Sequence, residues 1–111
     1  MALTEHEDIV RLRWKLAEYA IPEQDWNGLM LYLARGIETG SFLRAVLEND
    51  LTEAVGYADD DNRLKLADLV VVLHSTLPSE SWGSKDKVAA WIERGGLKGR
   101  NAAETDAKGD A

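Results

Sequence analysis

Two histidines, His6 and His74, and a run of aspartates are the first candidates in this chain for catalysis or metal binding, and cysteine is absent. His6 has no second histidine four residues further on, so the spacing of a zinc protease is missing. His74 adjoins Ser75, but neighbours on a helix point about 100° apart and do not form a nucleophile–base pair. Because His74 lies among apolar neighbours on the most apolar predicted helix, we predict that it is a hydrogen-bonded core or boundary residue. Without cysteine there are no disulfides, thiolate nucleophiles or thiolate metal ligands.

The consecutive carboxylates Asp59, Asp60 and Asp61 form the strongest candidate for a metal site. They lack the alternating acidic ligands, the glycine and the distal glutamate of a calcium loop. Carboxylates at the start of a helix are also stabilised by the helix dipole. We interpret the run as a capped, solvated helix entrance and predict no metal.

The segment from Gly36 to Ser41 places glycines and hydroxyl groups ahead of a helix, which is one way to bind an anion. It has no lysine of the phosphate-loop type, and Glu38 would repel an anion. The end of one helix followed by the start of the next explains the same residues. We predict no catalytic, cofactor-binding or metal residue, no cofactor, and a protein that is not an enzyme.

Aromatic and acidic side chains are the candidates for contact with another protein. Trp82 lies in a loop of serine, glutamate and glycine, where it either folds back onto the core or stands exposed as an anchor. Trp14 falls outside the main apolar stripe of the first helix and adjoins Arg13 and Lys15. The candidate protein-contact residues are Trp14, Trp82, Glu48, Asp59, Asp60 and Asp61.

The formal net charge of −7 disfavours general binding to nucleic acid, because phosphates repel an acidic surface. The longest apolar run, residues 69–73, is far shorter than the roughly 20 residues that cross a bilayer. The acidic start has no basic and apolar signal pattern. We therefore expect a cytoplasmic protein with no membrane contact.

Apolar residues recur with helical spacing along most of the chain, which predicts an all-α fold. The pattern predicts helices at 4–20, from Pro22 to Gly36, from Ser41 to Asn49, at 60–77 and at 85–94, with one or two further helical turns from Asp50. The expected architecture is a compact bundle of about five helices in a single domain, residues 1–97. Residues 98–111 are predicted to be a flexible, disordered C-terminal tail.

The segment 60–77 is the most apolar of these predicted helices. Leu66, Leu69, Val70, Leu73 and Leu77 form one stripe, and Val71 and Val72 widen it almost to the full circumference. An apolar surface on all sides predicts the central helix of the bundle. In the short helix before it, Leu51 and Val55 are expected to point inward.

A longer pattern runs through residues 21–96. It comprises Ile21-Pro22, Gly28-Leu29, Tyr32, Gly36, Gly40-Ser41-Phe42-Leu43, Ala45-Val46-Leu47, Asn49-Asp50-Leu51, Ala58-Asp59, Asn62, Trp82-Gly83-Ser84, Ala90-Trp91 and Arg94-Gly95-Gly96. In this pattern, which covers roughly two thirds of the chain, the protein resembles a family of small uncharacterised proteins encoded by bacteriophages and prophages. The resemblance implies a phage or prophage setting and carries over no catalytic residue.

We expect a non-enzymatic phage or prophage accessory protein that works by binding another protein, which includes the option of a homodimer. One alternative is an acidic inhibitor of a host nucleic-acid-handling or defence system, whose carboxylates around 48–61 would occupy a basic groove. The other is a DNA-binding protein with a helix-turn-helix-like element between residues 22 and 55, in which Arg44 would read bases.

Overall fold

The computed structural model describes residues 3–100, with side chains from Glu7 onward. Within that range the chain forms seven α-helices: α1 (Leu3–Glu18), α2 (Trp26–Arg35), α3 (Ser41–Leu47), α4 (Leu51–Tyr57), α5 (Asp60–Leu64), α6 (Leu66–Thr76) and α7 (Lys85–Arg94). Short 3₁₀ turns at Glu23–Asp25 and Ser79–Ser81 precede α2 and α7. Residues 96–100 add a last helical turn. Residues 3–100 contain no strand, so the all-α prediction is confirmed.

Local capping signals set most helix boundaries. The side chains of Asp50, Asp59 and Ser84 each accept a hydrogen bond from the backbone N–H three residues on, which caps the start of α4, α5 and α7. Gly36 and Gly95 end α2 and α7 in the left-handed conformation that favours glycine. The predicted start of the first helix at Thr4 lies outside the residues whose side chains are described.

The predicted helix at 60–77 is in fact two helices. It breaks at Lys65, whose backbone N–H is shared between the carbonyls of Asp61 and Asn62, both 3.2 Å away. Two long-range contacts hold the break: Asn62 is buried against Asp25, and the Lys65 ammonium donates to the Tyr19 carbonyl at 3.1 Å. The sequence shows the helical period but not these contacts.

Helix α6 is not the all-round buried centre that its composition predicts. Leu69, Val72 and Leu73 are buried, whereas Val70 and Val71 are 39% and 42% exposed. Helix α6 therefore buries one face and leaves the other in solvent. The prediction for α4 is also wrong, because Leu51 is 68% exposed and Val55 is exposed as well.

The core gathers around large side chains of α2 and α7. Trp91 of α7 donates its indole N–H to the Tyr32 carbonyl at 2.9 Å, and the Tyr32 hydroxyl donates to the Ser81 carbonyl at 2.5 Å. Burial raises the pKa of the Tyr32 hydroxyl, so it remains a donor. Helix α1 closes one side of this core by packing against α2 and α6, and α3 packs against α4.

The ends of α2 and α7 meet backbone to backbone. A Cβ atom built on Gly96 would lie 2.5 Å from the Gly36 nitrogen and 2.6 Å from the Arg35 nitrogen. The next residue, Leu97, is fully buried in the core. The predicted tail is therefore wrong at its beginning, because residues 98–100 continue a helical turn that this contact anchors. The remainder of the predicted tail, 101–111, lies outside the described residues.

Candidate protein-binding surface

Helix α1 carries a second apolar stripe beside the one that faces the core. The core stripe includes the fully buried Leu12 and Leu16. The second stripe consists of residues 10, 13, 14 and 17, which have the spacing i, i+3, i+4, i+7 of one helix face and are apolar apart from Arg13. Together with a tryptophan from the start of α2 it lines an open groove of about 390 Å³, formed by Val10, Arg13, Trp14, Ala17 and Trp26. This surface is called the α1 groove below.

The two tryptophans of the α1 groove are held differently. Trp26 is partly buried, and its indole N–H donates to the Ile21 carbonyl at 2.8 Å. Its polar atom is thus satisfied within the fold, while the ring forms a fixed wall of the groove. Trp14 is 73% exposed. An indole in that position offers a large apolar area that a partner can cover.

The charges around the α1 groove are mostly neutralised within α1 itself. Arg11 lies 3.3 Å from Asp8, and Lys15 lies 3.2 Å from Glu18. Arg13 lines the groove beside Trp14. The contact surface that the sequence indicated around Trp14 is therefore apolar with one cation at its rim, rather than a strongly basic face.

Trp82, the other aromatic contact candidate, differs from Trp14 in its burial. It is partly buried and packs against the core, so the structure favours the folded-back alternative. The following residue, Gly83, donates its backbone N–H to the Leu47 carbonyl at 2.7 Å, which pins the loop to α3. Trp82 therefore completes the core, and Trp14 is the candidate that stands exposed.

The acidic candidates are dispersed and have different roles. Glu48 is largely buried and accepts a hydrogen bond from Arg44 at 2.8 Å. Asp59 caps α5 and accepts a hydrogen bond from Gln24 at 2.7 Å, and the backbone bond from Asn62 is the main reason that the pKa of Asp59 is lowered. In residues 7–100, no three acidic or histidine side chains converge as a metal site would require.

The other two aspartates of the run face solvent. Asp60 has a side chain that is 96% exposed and lies 3.2 Å from Arg63. Asp61 is exposed as well. Because Asp60 and Asp61 occupy the first turn of α5, they also complement the helix dipole, as the sequence predicts.

We expect Asp59 and Asp60 to differ sharply when each is replaced by alanine. Asp59→Ala removes a helix cap and the Gln24 contact, so the midpoint of thermal unfolding should fall by about 4–8 °C. Asp60→Ala should change it by no more than about 2 °C, since exposed ion pairs contribute little. Circular dichroism melts of the two variants test this, and equal shifts would contradict the capping role.

Arg44, the proposed base reader of a helix-turn-helix, is engaged by two glutamates. It lies 2.8 Å from Glu48 and also pairs with Glu38, and the Glu48 hydrogen bond is the main cause of its raised pKa. It borders an open polar cleft of about 270 Å³ between α3, α4 and α7. The guanidinium already donates to two carboxylates, through Nε to Glu48 and through Nη1 to Glu38, so a base would compete with them for this side chain.

His74 does not lie in the core. It occupies the solvent-exposed face of α6, so the prediction of a core or boundary histidine is wrong. The apolar neighbours that suggested burial, Val70 and Val71, are themselves exposed. Sequence reasoning also missed Val10, Ala17 and Trp26 as groove residues, although the helical spacing of 10, 13, 14 and 17 was a signal for the first two.

Comparison with protein-family models, with curated proteins and with solved structures finds no match to this chain. The functional argument therefore rests on the geometry of the described residues. Among these residues, none of the helices combines the length and the apolar character required to cross a bilayer.

Proposed function

We propose that this chain is a non-enzymatic phage or prophage accessory protein that works by binding another protein, and that the α1 groove is its binding surface. The observation that carries the proposal is Trp14, which is 73% exposed beside the partly buried Trp26. A tryptophan side chain offers about 150–250 Å² of area. Covering most of it would contribute about 3 kcal/mol of binding free energy, which is the size of an interface hot spot.

The shape and chemistry of the α1 groove favour an amphipathic helix as the partner segment. Four of its five lining residues lie on two successive turns of α1, and the lining is apolar apart from Arg13. Apolar anchors spaced three and four residues apart would meet Trp14 and Trp26. An acidic residue in the partner would pair with Arg13 at the rim.

The phage or prophage setting rests on the sequence pattern shared with that family. In this chain, the pattern residues with the clearest structural roles maintain the fold. Gly36 and Gly96 form the backbone crossing, and Asp50 and Asp59 cap helices. Helix α1, which carries the proposed binding surface, lies outside this pattern.

The two alternative functions have weaker support. An acidic inhibitor would need a concentrated negative surface, but Glu48 and Asp59 are engaged in internal contacts. Asp60 and Asp61 remain as the exposed carboxylates of that run. A DNA-binding helix-turn-helix would need Arg44, which two glutamates hold.

Site-specific photo-crosslinking tests the proposed surface directly. A photoreactive phenylalanine at position 14 should crosslink one discrete protein from the host lysate, or a second copy of this chain. The matched control places the same group at Tyr57, an exposed aromatic on α4 with 57% of its surface accessible. A crosslink at position 14 that is absent at position 57 is the expected result.

We expect Trp14→Ala to weaken binding to the crosslinked partner about 10- to 100-fold, because it removes the exposed anchor without touching the core. Tyr57→Ala should leave the affinity within a factor of about two. Isothermal titration calorimetry with both variants measures the difference. Equal affinities for wild type and Trp14→Ala would place the interface elsewhere on the protein.

A further inference from the structure

A buried carboxyl–amide pair joins the turn before α2 to α5. Asp25 is the last residue of that turn and Asn62 lies in the middle of α5; they are 5% and 6% exposed. The Asn62 amide donates to Asp25 Oδ1 over a long 3.4 Å. Among the described residues, Asp25 Oδ2 and Asn62 Oδ1 have no hydrogen-bond partner.

An ionised Asp25 fits this environment poorly. A carboxylate is acceptor-only, so it cannot satisfy the carbonyl oxygen of Asn62, and a single long donor does not offset the loss of hydration. A protonated Asp25 can donate from Oδ2 to Asn62 Oδ1 while Oδ1 accepts from the amide. If the two groups rotate into alignment, both buried oxygens gain a partner through one two-bond ring.

The charged groups around the pair give Asp25 no compensating cation. Asp59, at the start of α5, adds a like charge. The neighbouring cations of α5 and its junction with α6 point to other partners: Arg63 contacts Asp60 and the Ala58 carbonyl, and Lys65 contacts the Tyr19 carbonyl and Asp68. Burial is the main reason that the pKa of Asp25 rises to about 6; Asp59 adds to this rise and the Asn62 hydrogen bond opposes it.

We propose that Asp25 and Asn62 form a proton-dependent latch, closed by the neutral carboxyl group of Asp25 and loosened when that group ionises. The latch ties the Glu23–Asp25 turn to α5. Because Asp25 immediately precedes Trp26, loosening the latch also loosens the hold on Trp26, whose ring forms the fixed wall of the α1 groove. The latch stands on its own geometry and does not depend on the groove having a partner.

The raised pKa of Asp25 decides the direction in which the stability of the fold changes with pH. The folded chain holds a proton on Asp25 up to about pH 6, whereas the ordinary value is 3.8. The stability that the latch contributes is therefore complete below about pH 3.8 and is lost as the pH rises through about 6. Most paired aspartates show the opposite direction, so the effect is diagnostic.

Carbon-detected NMR of the Asp25 carboxyl group in the wild-type protein tests the proton directly. We expect its ¹³Cγ shift to titrate with a midpoint near pH 6, and the Asn62 side-chain amide protons to move with the same midpoint. A midpoint at or below the ordinary value of 3.8 would overturn the latch.

Replacement of the acid by its amide tests the stability linkage. Asp25→Asn can make the same two-bond ring with Asn62 at every pH. The unfolding constant of the wild type, relative to that of Asp25→Asn, should rise about 25-fold between pH 4.5 and pH 7.5. A control variant, Gln24→Ala, removes only the neighbouring exposed bond to Asp59 and should keep the wild-type titration of Asp25. A ratio that does not change with pH would count against the latch.

A bound cation is the competing way to satisfy two facing oxygen atoms, and the same samples separate the two. Adding Ca²⁺ or Mg²⁺ at pH 7.5 should not change the difference in melting temperature between the wild type and Asp25→Asn. If the metal ions raised the melting temperature of the wild type alone, a cation rather than a proton would satisfy the two oxygen atoms, and the proposal would be overturned.

Discussion

We expect Gly96→Ala to destabilise the fold by about 3 kcal/mol or more, a large share of the 5–15 kcal/mol that holds a typical domain. Gly96 has φ +68°, where alanine is strained by about 1 kcal/mol. Its Cβ would also lie 2.5 Å from the Gly36 nitrogen and 2.8 Å from the Ala34 carbonyl carbon. These are backbone atoms, so the strain cannot be relieved by turning a side chain.

Chemical denaturation monitored by circular dichroism measures this effect, with Gly56→Ala as the matched control. Gly56 lies in α4, has ordinary helical geometry, and a Cβ there would meet no atom within 4 Å. The control should stabilise the protein by up to about 1 kcal/mol, because alanine favours the helix. If Gly96→Ala raised the free energy of unfolding, as Gly56→Ala is expected to do, the backbone crossing at Gly36 and Gly96 would not be as close as described.

The second large effect is expected at Leu97, which follows this crossing. Leu97 is fully buried in the core cluster. Leu97→Ala should cost about 3 kcal/mol, because it loses the transfer free energy of the side chain and leaves a cavity. The residue lies at the very boundary where the sequence predicts that the folded domain ends.

Leu64→Ala is the matched control for this substitution. Leu64 is the last residue of α5 and is 84% exposed, so the same change should stay within about 0.5 kcal/mol. Urea titrations of both variants at one pH provide the comparison. A small loss at Leu97 would mean that this side chain does not pack in the core.

The turn after Leu97 has contacts that the predicted tail does not allow for. The Arg100 guanidinium lies 6.0 Å from the centre of the Trp91 ring and 3.8 Å from Glu80. Neither contact is strong at such distances. Together with Leu97 they show that the folded part of the chain continues to residue 100.

Helix starts and ends were the most predictable features, because their causes are local. A side chain three residues from a backbone N–H decides a cap, as at Asp50 and Ser84. A left-handed glycine decides an end, as at Gly36 and Gly95. Both kinds of signal can be read from adjacent residues, without knowing what packs against the helix.

Predictions of burial failed where they relied on how apolar a helix is and not on which of its faces meets other helices. The valines of α6 made the helix look apolar all round, yet only the face with Leu69, Val72 and Leu73 meets other helices. His74 was predicted to be a core or boundary residue for the same reason. An apolar residue gains free energy by burial only if a neighbouring element covers it, and the sequence does not say which face is covered.

The candidate surface was partly predictable. The sequence singled out Trp14 because it lies off the core stripe of α1, and the structure leaves it exposed. It could not distinguish Trp14 from Trp82, which packs against the core through a loop pinned to α3. Nor could it supply Trp26, which reaches the groove only because α1 and α2 pack together.

By itself, the sequence determined the all-α class and where most helices begin and end, since helical period and capping act over a few neighbouring residues. Only the tertiary structure decided that the 60–77 segment breaks at Lys65, that Leu97 belongs to the core, and that Asp25 meets Asn62. Each of these depends on contact between segments far apart in the chain. Their free energies come from which surfaces cover one another, and no local pattern records that.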